Sequence, residues 1–319
     1  MIDENVMKRI IFVHVPKTAG TSFRLAAEKY FGSENVVFDY TEAAKETSAS
    51  VQELIYKRKD KDSFKDFLHN ETFFFLGGHF EIKKYLYCGS VNDVVAFVRE
   101  PWQRVISEYK HFVRHFGYDK GFQVFIKEPE MKSKQSWYLN GVPLQAIGHI
   151  GLTESYEAEL EIINKKFYIE VESLERNLGG GRAKEVHSEF SEFKKDFELL
   201  NAKDIELYEK AVEISNQKKD VINSGCSFVH GAITKRSSDE VHGWAWYENS
   251  DESPQLEFYV NGKLLSEDKA SKDVEKLSWY PPKNGKIGFL ARGPFGDSKE
   301  VEVFVKNSQQ QIFDQFLIG

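Results

Sequence analysis

The segment HVPKTAGTSF, residues 14–23, combines residue types that can bind an anion. It lies between a predicted strand and a predicted helix, and the first turn of a helix offers free backbone N–H groups and a favourable dipole to a phosphate. Gly20 allows close backbone approach, Thr21 and Ser22 add hydroxyl groups, and Lys17 adds a positive charge. A capped helix after a tight turn is the simpler alternative, but it leaves Lys17 and the adjacent hydroxyls without a role. We therefore expect a phosphate group at this junction.

The order of these residues differs from that of a Walker A loop. The pattern G-x-x-x-x-G-K-S/T places the lysine directly after its second glycine, whereas Lys17 precedes Gly20 in this chain. Magnesium-dependent hydrolysis of a nucleoside triphosphate is therefore the less favoured chemistry.

A second candidate anion site is the segment VVAFVREPWQRVISEYKHF, residues 94–112. Arg99 comes at the carboxyl end of a predicted strand, which is where open α/β sheets bind ligands. Arg104 and Ser107 are three positions apart and share one face of the helix that follows. The alternative is that Arg99 pairs with a carboxylate such as Glu100 and that Ser107 is a solvated helical residue. From this segment alone, the pattern fits a second phosphate and the alternative equally well.

His79, in the segment GGHF, is the candidate general base. It directly follows the third predicted strand, so its imidazole is expected at the ligand-binding edge of the sheet. An unperturbed histidine has a pKa of about 6.5, and its neutral form can accept a proton at physiological pH. From the residues alone, a hydrogen-bonded histidine at a strand end is the favoured interpretation, and the resemblance described below reverses this preference. Glu81 and Glu100 are fallback bases.

Short apolar runs alternate with longer amphipathic stretches over the first two-thirds of the chain. Strands that are apolar throughout and separated by helices are typical of a parallel sheet covered on both faces. The sequence therefore predicts a doubly wound α/β domain with a P-loop-type parallel sheet flanked by helices. The predicted strands are residues 9–15, 35–40, 72–78, 94–98 and 167–171, and the predicted helices are residues 22–30, 51–68, 101–116, 153–165 and 201–218. Asn201 and Asp204 form an approximate capping box for the last helix, which we expect to close this domain.

The pattern of apolar runs and turn residues changes after residue 230. Short alternating runs are separated by turn signals, and Asn261-Gly262 between two apolar runs predicts a hairpin over residues 256–265. We therefore expect a small all-β C-terminal domain, a β-sandwich, over residues 229–319, after an α/β domain over residues 1–228. Trp244 and Trp246 alternate onto one face, where core packing is favoured over sugar stacking.

Composition and charge exclude several classes of function. The chain has 319 residues, 41% hydrophobic and 29% charged, as in an ordinary globular protein. Its 43 Lys and Arg against 50 Asp and Glu give a formal net charge of -7, so no overall positive field attracts nucleic acid or an anionic membrane. Cys88 and Cys226 fit neither a disulfide framework nor metal-ligand spacing, which favours a reducing compartment. No apolar window reaches the ~20 residues that span a bilayer, and no export signal is evident, so we expect a cytoplasmic protein.

The two candidate anion-binding segments together resemble the nucleotide-binding motifs of sulfotransferases that use 3′-phosphoadenosine 5′-phosphosulfate (PAPS). PKTAGTS resembles the 5′-phosphosulfate loop of that family, and VREPWQRVISEY resembles its 3′-phosphate segment. IGHIGLTESYEAELEIIN, residues 147–164, and the segment GGHF resemble stretches of carbohydrate sulfotransferases, especially the uronyl 2-O-sulfotransferases. VHGWAWYENSDESPQLEFYVNGK, residues 241–263, resembles a small β-sandwich appended to bacterial glycan-modifying enzymes.

The resemblance implies a role for each matching residue. Lys17 would contact the bridging oxygen of the phosphosulfate, and His79 would be the catalytic base. Arg114 and His115 would bind the acceptor, although cations are also favourable at a solvated helix end. Residues 177–193 match the later adenosine loop of the family poorly, and Arg182 is the candidate there. The residues that would hold the nucleotide are Thr18, Ala19, Gly20, Thr21 and Ser22 at the 5′-phosphate, and Arg99 and Ser107 at the 3′-phosphate.

The resemblance implies a PAPS-dependent sulfotransferase, an enzyme of EC 2.8.2 type, that moves a sulfuryl group to a hydroxyl of a carbohydrate and releases 3′-phosphoadenosine 5′-phosphate (PAP). The acceptor would be a polysaccharide, a glycolipid or a small sugar, in bacterial cytoplasm. No metal is required for this chemistry, because positive side chains and N–H groups can stabilise the leaving phosphate. The alternatives are a P-loop-like nucleotide or sugar kinase and a non-catalytic glycan-binding protein.

Overall fold

A computed structural model describes residues 8–70, 73–174, 188–274, 277, 279–296 and 301–318. Among these residues no helix is both long enough and apolar enough to cross a membrane.

The N-terminal part of the chain forms a five-stranded parallel sheet flanked by helices. Its strands are β1 (Lys8–Val13), β2 (Val36–Asp39), β3 (Phe73–Gly78), β4 (Val94–Val98) and β5 (His149–Leu152). Their order is β2-β3-β1-β4-β5, and every neighbouring pair is parallel. Every residue of β2, β4 and β5 is buried, as expected of a sheet covered on both faces. The predicted α/β class and four of the five predicted strands are confirmed.

The fifth predicted strand, residues 167–171, is wrong. Phe167 is the last residue of a helix, and the extended segment after it pairs with no strand. Ile169 and Val171 are nevertheless buried, which produces the alternating pattern of a strand. The side chain of Asn164 replaces a strand partner, because its amide donates to the Val171 carbonyl at 3.0 Å and its oxygen accepts from the Val171 N–H at 3.1 Å.

The helices in the described ranges are α1 (Gly20–Phe31), α2 (Lys61–His69), α3 (Pro101–Phe116), α4 (Phe122–Phe125), α5 (Lys134–Tyr138), α6 (Tyr156–Phe167), α7 (Lys194–Leu200) and α8 (Ala202–Asn223). The predicted bounds of α3 are confirmed. Glu100 caps its first turn by accepting from the N–H groups of Trp102 and Gln103, and Gly117 ends it with a φ of 63°.

Two predictions about helices are wrong in detail. The helix predicted over residues 51–68 is a π-helical segment, Val51–Lys57, followed by α2, because Asp60 caps a new helix by accepting from the Ser63 N–H at 3.0 Å. Asn201 and Asp204 form no capping box at α8. Their side chains instead accept hydrogen bonds from the segment around α5, which tethers that short helix to α8.

The C-terminal part of the chain is all-β, as predicted. It contains β6 (Val229–Arg236), β7 (Glu240–Tyr247), β8 (Gln255–Val260), β9 (Lys263–Lys269), β10 (Lys272–Asp273), β11 (Lys286–Arg292), β12 (Val301–Val305) and β13 (Gln311–Ile312). These strands form two antiparallel sheets, β10-β11-β7-β6 and β13-β12-β8-β9. The predicted hairpin is confirmed, since Asn261 and Gly262 take φ values of 49° and 73° between β8 and β9.

The tryptophans of the all-β part serve packing. Trp244 and Trp246 are 0% and 1% exposed and stack with their ring centroids 5.1 Å apart. Together with Trp279 they join the same apolar cluster as residues of the α/β part, such as Leu144 and Ala211. The preference for core packing over sugar stacking is confirmed, and the two parts of the chain share a continuous core. A division of the chain at residues 228 and 229 stays a prediction.

Candidate active site

The carboxyl ends of β1, β2 and β3 bring three aromatic side chains together. His14 directly follows β1, Tyr40 follows β2, and His79 follows β3. The imidazole centroids of His14 and His79 are 4.4 Å apart, and the Tyr40 ring lies edge-on to His79 at 4.8 Å. His14 is buried, with 5% of its surface exposed. His79 directly follows β3, as predicted, and its role as a base stays a prediction.

The main chain fixes the position of His79. Its N–H donates to the Asp39 carbonyl at 2.9 Å, and the preceding carbonyl, that of Gly78, accepts from the His14 N–H at 2.9 Å. A side chain at residue 78 would overlap the Asp39 main chain, so only glycine allows these strands to approach. His79 is therefore held by both neighbouring strands.

The hydrogen bond of the His79 side chain determines its tautomer. Nδ1 lies 2.6 Å from the main-chain oxygen of His14. A carbonyl oxygen can only accept, so Nδ1 carries the proton of the neutral ring and Nε2 presents its lone pair. Burial lowers the pKa of His79 from its usual value, and the charge of Lys134 lowers it further, against the opposing effect of the bond to His14. The neutral form, which is the form a general base needs, is thereby favoured.

A buried carboxylate, that of Asp39, supports this strand edge, and no motif in the sequence pointed to it. Asp39 accepts from the hydroxyls of Tyr56 and Tyr85, each at 2.7 Å, and from the ammonium of Lys84 at 2.5 Å. Burial raises the pKa of Asp39, but the hydrogen bonds from Lys84 and the two tyrosines outweigh burial and bring it below its usual value. Since the carbonyl of the same residue holds the His79 N–H, Asp39 links the base to the surrounding structure.

The loop between β1 and α1 has the shape of an anion cradle. Lys17 and Ala19 take φ values of 69° and 66°, and such left-handed positions turn successive N–H groups toward one side. The Thr18 hydroxyl donates to the Val15 carbonyl at 2.8 Å and tightens the turn. Within the described part of the chain, the backbone N–H groups of residues 18–21 donate to no acceptor. The loop therefore offers four donors at the start of α1.

Gly20 closes the contact between this loop and the histidine pair. A Cβ at residue 20 would overlap the His14 ring, which in turn packs against His79. The position requires glycine because of this close approach, whereas a Cβ at Gly121 would have nothing within 4 Å.

We expect Gly20→Ala to destabilise the fold by about 1–3 kcal/mol, because the added methyl forces the buried His14 ring to move. Gly121→Ala is the matched control and should change stability by less than about 0.5 kcal/mol. Urea unfolding of the two variants measures the difference. Equal stability of the two variants would show that the His14 ring can relax freely.

The second predicted anion-binding segment is also anchored by long-range bonds. The N–H of Arg99 donates to the side-chain oxygen of Gln135 at 2.9 Å, and the Arg99 carbonyl accepts from the Gln135 amide at 3.0 Å. Ser107 is half-buried on α3, and its hydroxyl makes no hydrogen bond with another described residue. Arg104, which the sequence placed beside Ser107, is 1% exposed and pairs with Glu108, so it belongs to the interior.

Electrostatic effects connect Lys17 to α3. Burial lowers the pKa of His111, and the charges of Lys17 and His115 lower it further. The imidazole centroids of His111 and His115 are 4.6 Å apart on successive turns of α3. Arg114 and His115 are exposed in the last turn of that helix. The charge of Lys17 thus acts on α3 at His111, but the acceptor role of Arg114 and His115 stays a prediction.

Other sequence candidates lie elsewhere. Arg182 falls outside the described residues. The Nε2 atom of His149 lies 3.1 Å from a carboxylate oxygen of Glu159, in a buried pair at the start of β5. The carboxylate of Glu100 is occupied as the cap of α3, which weakens it as a fallback base. No group of three or more His, Cys, Asp or Glu side chains suited to a metal occurs within the described ranges.

The α/β part is a parallel sheet whose strand ends place a candidate anion-binding loop beside the candidate base His79. The model of the family described as "Sulfotransferase family" matches residues 3–141, which include the cradle, His79, Arg99 and Ser107. Residues 3–141 are therefore similar to sulfotransferases, and this similarity supports sulfuryl transfer as the general chemistry. The uronyl 2-O subtype stays a prediction.

The crystal structure of a sulfotransferase from Alicyclobacillus acidocaldarius is similar to this chain at 14% sequence identity. The similarity covers 63% of this chain and 95% of that chain, with a TM-score of 0.35, which is too low to support any statement about substrates. No curated protein matches the sequence significantly.

Proposed function

We propose that this protein is a PAPS-dependent sulfotransferase that transfers a sulfuryl group to a hydroxyl of a carbohydrate. The observation that carries the proposal is the neutral His79, whose Nε2 has its lone pair available beside a loop with four unused N–H donors. A base and an anion cradle at one edge of a sheet are what sulfuryl transfer from a phosphosulfate to an alcohol needs.

The residues around the loop fit a donor with two phosphate groups. Residues 18–22 would hold the 5′-phosphate through N–H groups and hydroxyls, and the buried Gly20 leaves room only for backbone contact. Arg99 and Ser107 would hold the 3′-phosphate, since a guanidinium donates two parallel hydrogen bonds to phosphate oxygens and a hydroxyl completes the set. PAPS would supply the sulfuryl group, and PAP would be released.

His79 and Lys17 would have separate roles in the transfer. His79 Nε2 would take the proton of the acceptor hydroxyl as its oxygen attacks sulfur. Lys17 would stabilise the negative charge that develops on the departing phosphate oxygen as the sulfur–oxygen bond breaks. Neither role needs a metal ion. The charge of Lys17 lowers the pKa of both His14 and His111, which supports a role for Lys17 at this edge of the sheet.

The acceptor side of the proposal is a carbohydrate, whether polysaccharide, glycolipid or small sugar. Arg114 and His115 lie on α3 beyond His111 and would contact an acidic sugar. We further propose that the protein acts in the cytoplasm and that the chain divides into domains of residues 1–228 and 229–319. The alternatives are a nucleotide or sugar kinase, which would consume ATP with magnesium, and a glycan-binding protein without turnover.

We expect PAP to bind the protein without any metal, and Arg99→Ala to weaken that binding about 10- to 100-fold, because a charge-assisted hydrogen bond contributes ~1.5–3 kcal/mol. Isothermal titration calorimetry in EDTA measures both affinities. Arg292→Ala is the matched control, since the Arg292 side chain is 74% exposed on the all-β part. Absence of PAP binding, or magnesium-dependent consumption of ATP, would contradict the proposed function.

A further inference from the structure

Trp137 differs from the other tryptophans of the chain in its exposure. Trp102, Trp244, Trp246 and Trp279 are at most 7% exposed, whereas Trp137 is 51% exposed. A single exposed aromatic residue has no significance by itself. Its position, its rigid support and its neighbours are what give this side chain a role.

Two aromatic contacts connect Trp137 to the candidate base. The Trp137 ring packs edge-on against Tyr138 with a centroid distance of 4.8 Å, and the Tyr138 ring lies 6.3 Å from that of His79. The indole is therefore within about 11 Å of the imidazole, a distance that one or two sugar rings span.

Lys134, which is close to Trp137 on the surface of α5, interacts electrostatically with the candidate base His79. Lys134 precedes Trp137 by three positions, so the two side chains are neighbours on the helix surface. The Lys134 ammonium donates to Glu108 at 2.5 Å, and the charges of both residues act on His79. Trp137 thus projects from the part of α5 that borders the active site.

The support of α5 is unusually complete for a helix of five residues. Asp204, which is 1% exposed, accepts from the N–H groups of Gln135 and Ser136 at 3.1 and 2.8 Å and from the Ser136 hydroxyl at 2.7 Å. The Gln135 side chain bonds both the N–H and the carbonyl of Arg99. The short helix is therefore fixed to α8 and to the strand end that carries a proposed donor ligand, and the indole has a rigid base.

We propose that Trp137 is an acceptor-binding residue that stacks on a pyranose ring of the carbohydrate beside the ring being sulfated. A flat indole face presents apolar surface to the C–H face of a sugar, and Lys134 and Tyr138 border it with a charge and a ring edge. The hydroxyl that reacts must reach His79 Nε2, so the next ring of the acceptor lies toward α5. The inference rests on the proposed function for the identity of the acceptor.

The first test is initial-rate kinetics with radiolabelled PAPS and three acceptors, namely unsulfated chondroitin, dextran and methyl glucoside. Trp137→Ala is expected to raise the KM for the polysaccharide that the wild type sulfates by about tenfold or more. The KM for PAPS should stay unchanged, and Trp137→Phe should recover part of the loss. Tyr30→Ala is the control, because Tyr30 is a 44% exposed aromatic residue near the far end of α1. An unchanged acceptor KM in Trp137→Ala would overturn the inference and leave the proposed function standing.

Intrinsic fluorescence tests the same residue without turnover. Since Trp137 is the exposed tryptophan, each polysaccharide that binds the protein with PAP present should change the emission, and Trp137→Phe should lose that change. A Trp137-dependent change without any sulfuryl transfer would support the inference and contradict the proposed function. No change with any of the three carbohydrates would overturn the inference.

Discussion

His79→Asn is expected to lower kcat by about 10²–10⁴-fold, which is the usual contribution of a positioned general base. Asparagine is the informative substitution, because its amide N–H can replace Nδ1–H as the donor to the His14 carbonyl while nothing replaces Nε2. The local structure is thereby kept and the proton acceptor is removed. The measurement is single-turnover transfer from radiolabelled PAPS, with PAP affinity by calorimetry expected to remain within about threefold of the wild type.

His69→Gln is the matched control for this variant, because the glutamine amide can replace Nε2, the atom through which His69 bonds. The His69 ring also bonds a main-chain carbonyl, that of Cys88 at 2.7 Å, but it lies at the end of α2 and away from the strand ends that form the site. We expect its kcat to stay near the wild-type value. Full activity in His79→Asn would remove His79 as the base while leaving the donor site intact.

The pH profile gives an independent measure of the same group. A base must be neutral to act, so kcat/KM should fall as pH drops through the pKa of His79. Burial and the nearby Lys134 lower that pKa, so the acid limb should lie below the value of about 6.5 that is usual for histidine. An acid limb above this value would contradict a buried neutral His79. The limb should be absent from the residual activity of His79→Asn.

The parts of the site that are contiguous in sequence could be predicted from sequence. Residues 14–23 and the segment from Arg99 to Ser107 each follow a strand, and parallel strands deliver such segments to one edge of the sheet. His79 could be placed for the same reason. These inferences needed only the strand ends, which the apolar runs mark clearly.

The supporting residues could not be predicted in this way, because their partners are far away in sequence. Gln135 bonds Arg99 across 36 positions, and Asp204 bonds Ser136 across 68. A carboxylate is usually exposed, so sequence reasoning assigned Asp204 to a local cap of α8. The bonds that hold α5 exist only once α3, α5 and α8 have packed together.

The error at residues 167–171 has a comparable cause. Alternating burial identifies a segment that packs against a core, but it does not identify the hydrogen-bond partners of the backbone N–H and C=O groups in that segment. At Val171 the partner is the side chain of Asn164 on α6, and the true fifth strand is His149–Leu152. Four buried residues that include a histidine and a glycine have a weak preference for strand structure. A prediction based on runs of β-branched residues therefore missed this edge strand.

A large loss of stability is expected from a substitution at the contact between the α/β part and the all-β part. Glu248, directly after β7, is 9% exposed and accepts from two buried lysines, Lys166 at 3.0 Å and Lys218 at 2.5 Å. The imidazole of His230 lies 3.3 Å from the same oxygen. Lys166 and Lys218 belong to α6 and α8, whereas Glu248 and His230 belong to the all-β part. One carboxylate of the all-β part therefore compensates the buried charges of two lysines of the α/β part.

The protonation states of this cluster depend on that single carboxylate. Burial raises the pKa of Glu248, but the charges of Lys166 and Lys218 outweigh burial and hold it well below its usual value. Burial lowers the pKa of Lys166 to about 8, so both the ammonium and the carboxylate are charged at pH 7. Burial also lowers the pKa of His230 to about 4, which keeps that ring neutral. Two buried positive charges thus share one negative charge.

Glu248→Gln is expected to destabilise the protein by ~3–5 kcal/mol, because it leaves two buried ammonium groups without a negative partner. Thermal unfolding at pH 7 should show a fall in Tm of roughly 10 °C. Glu252→Gln, at an exposed glutamate four positions later, is the matched control and should leave Tm almost unchanged. The loss should shrink in a Glu248→Gln, Lys218→Met double variant, since the second change removes one of the unpaired charges.

The pKa shifts of Glu248 and His230 determine how the stability of the wild type changes with pH. The folded pKa of Glu248 is depressed, so its contribution to stability is fully present above the unfolded value and is lost as pH falls through the folded value. His230 acts in the same direction, because the unfolded chain takes up its proton near pH ~6.5 and the folded chain only near 4. Stability should therefore decline on acidification from about pH 6.5 because of His230, and below about pH 4.3 the wild type should lose the additional contribution of Glu248, which Glu248→Gln lacks. Equal Tm values for Glu248→Gln and Glu252→Gln would mean that the two lysines reach solvent, and that the shared apolar core alone joins the two parts.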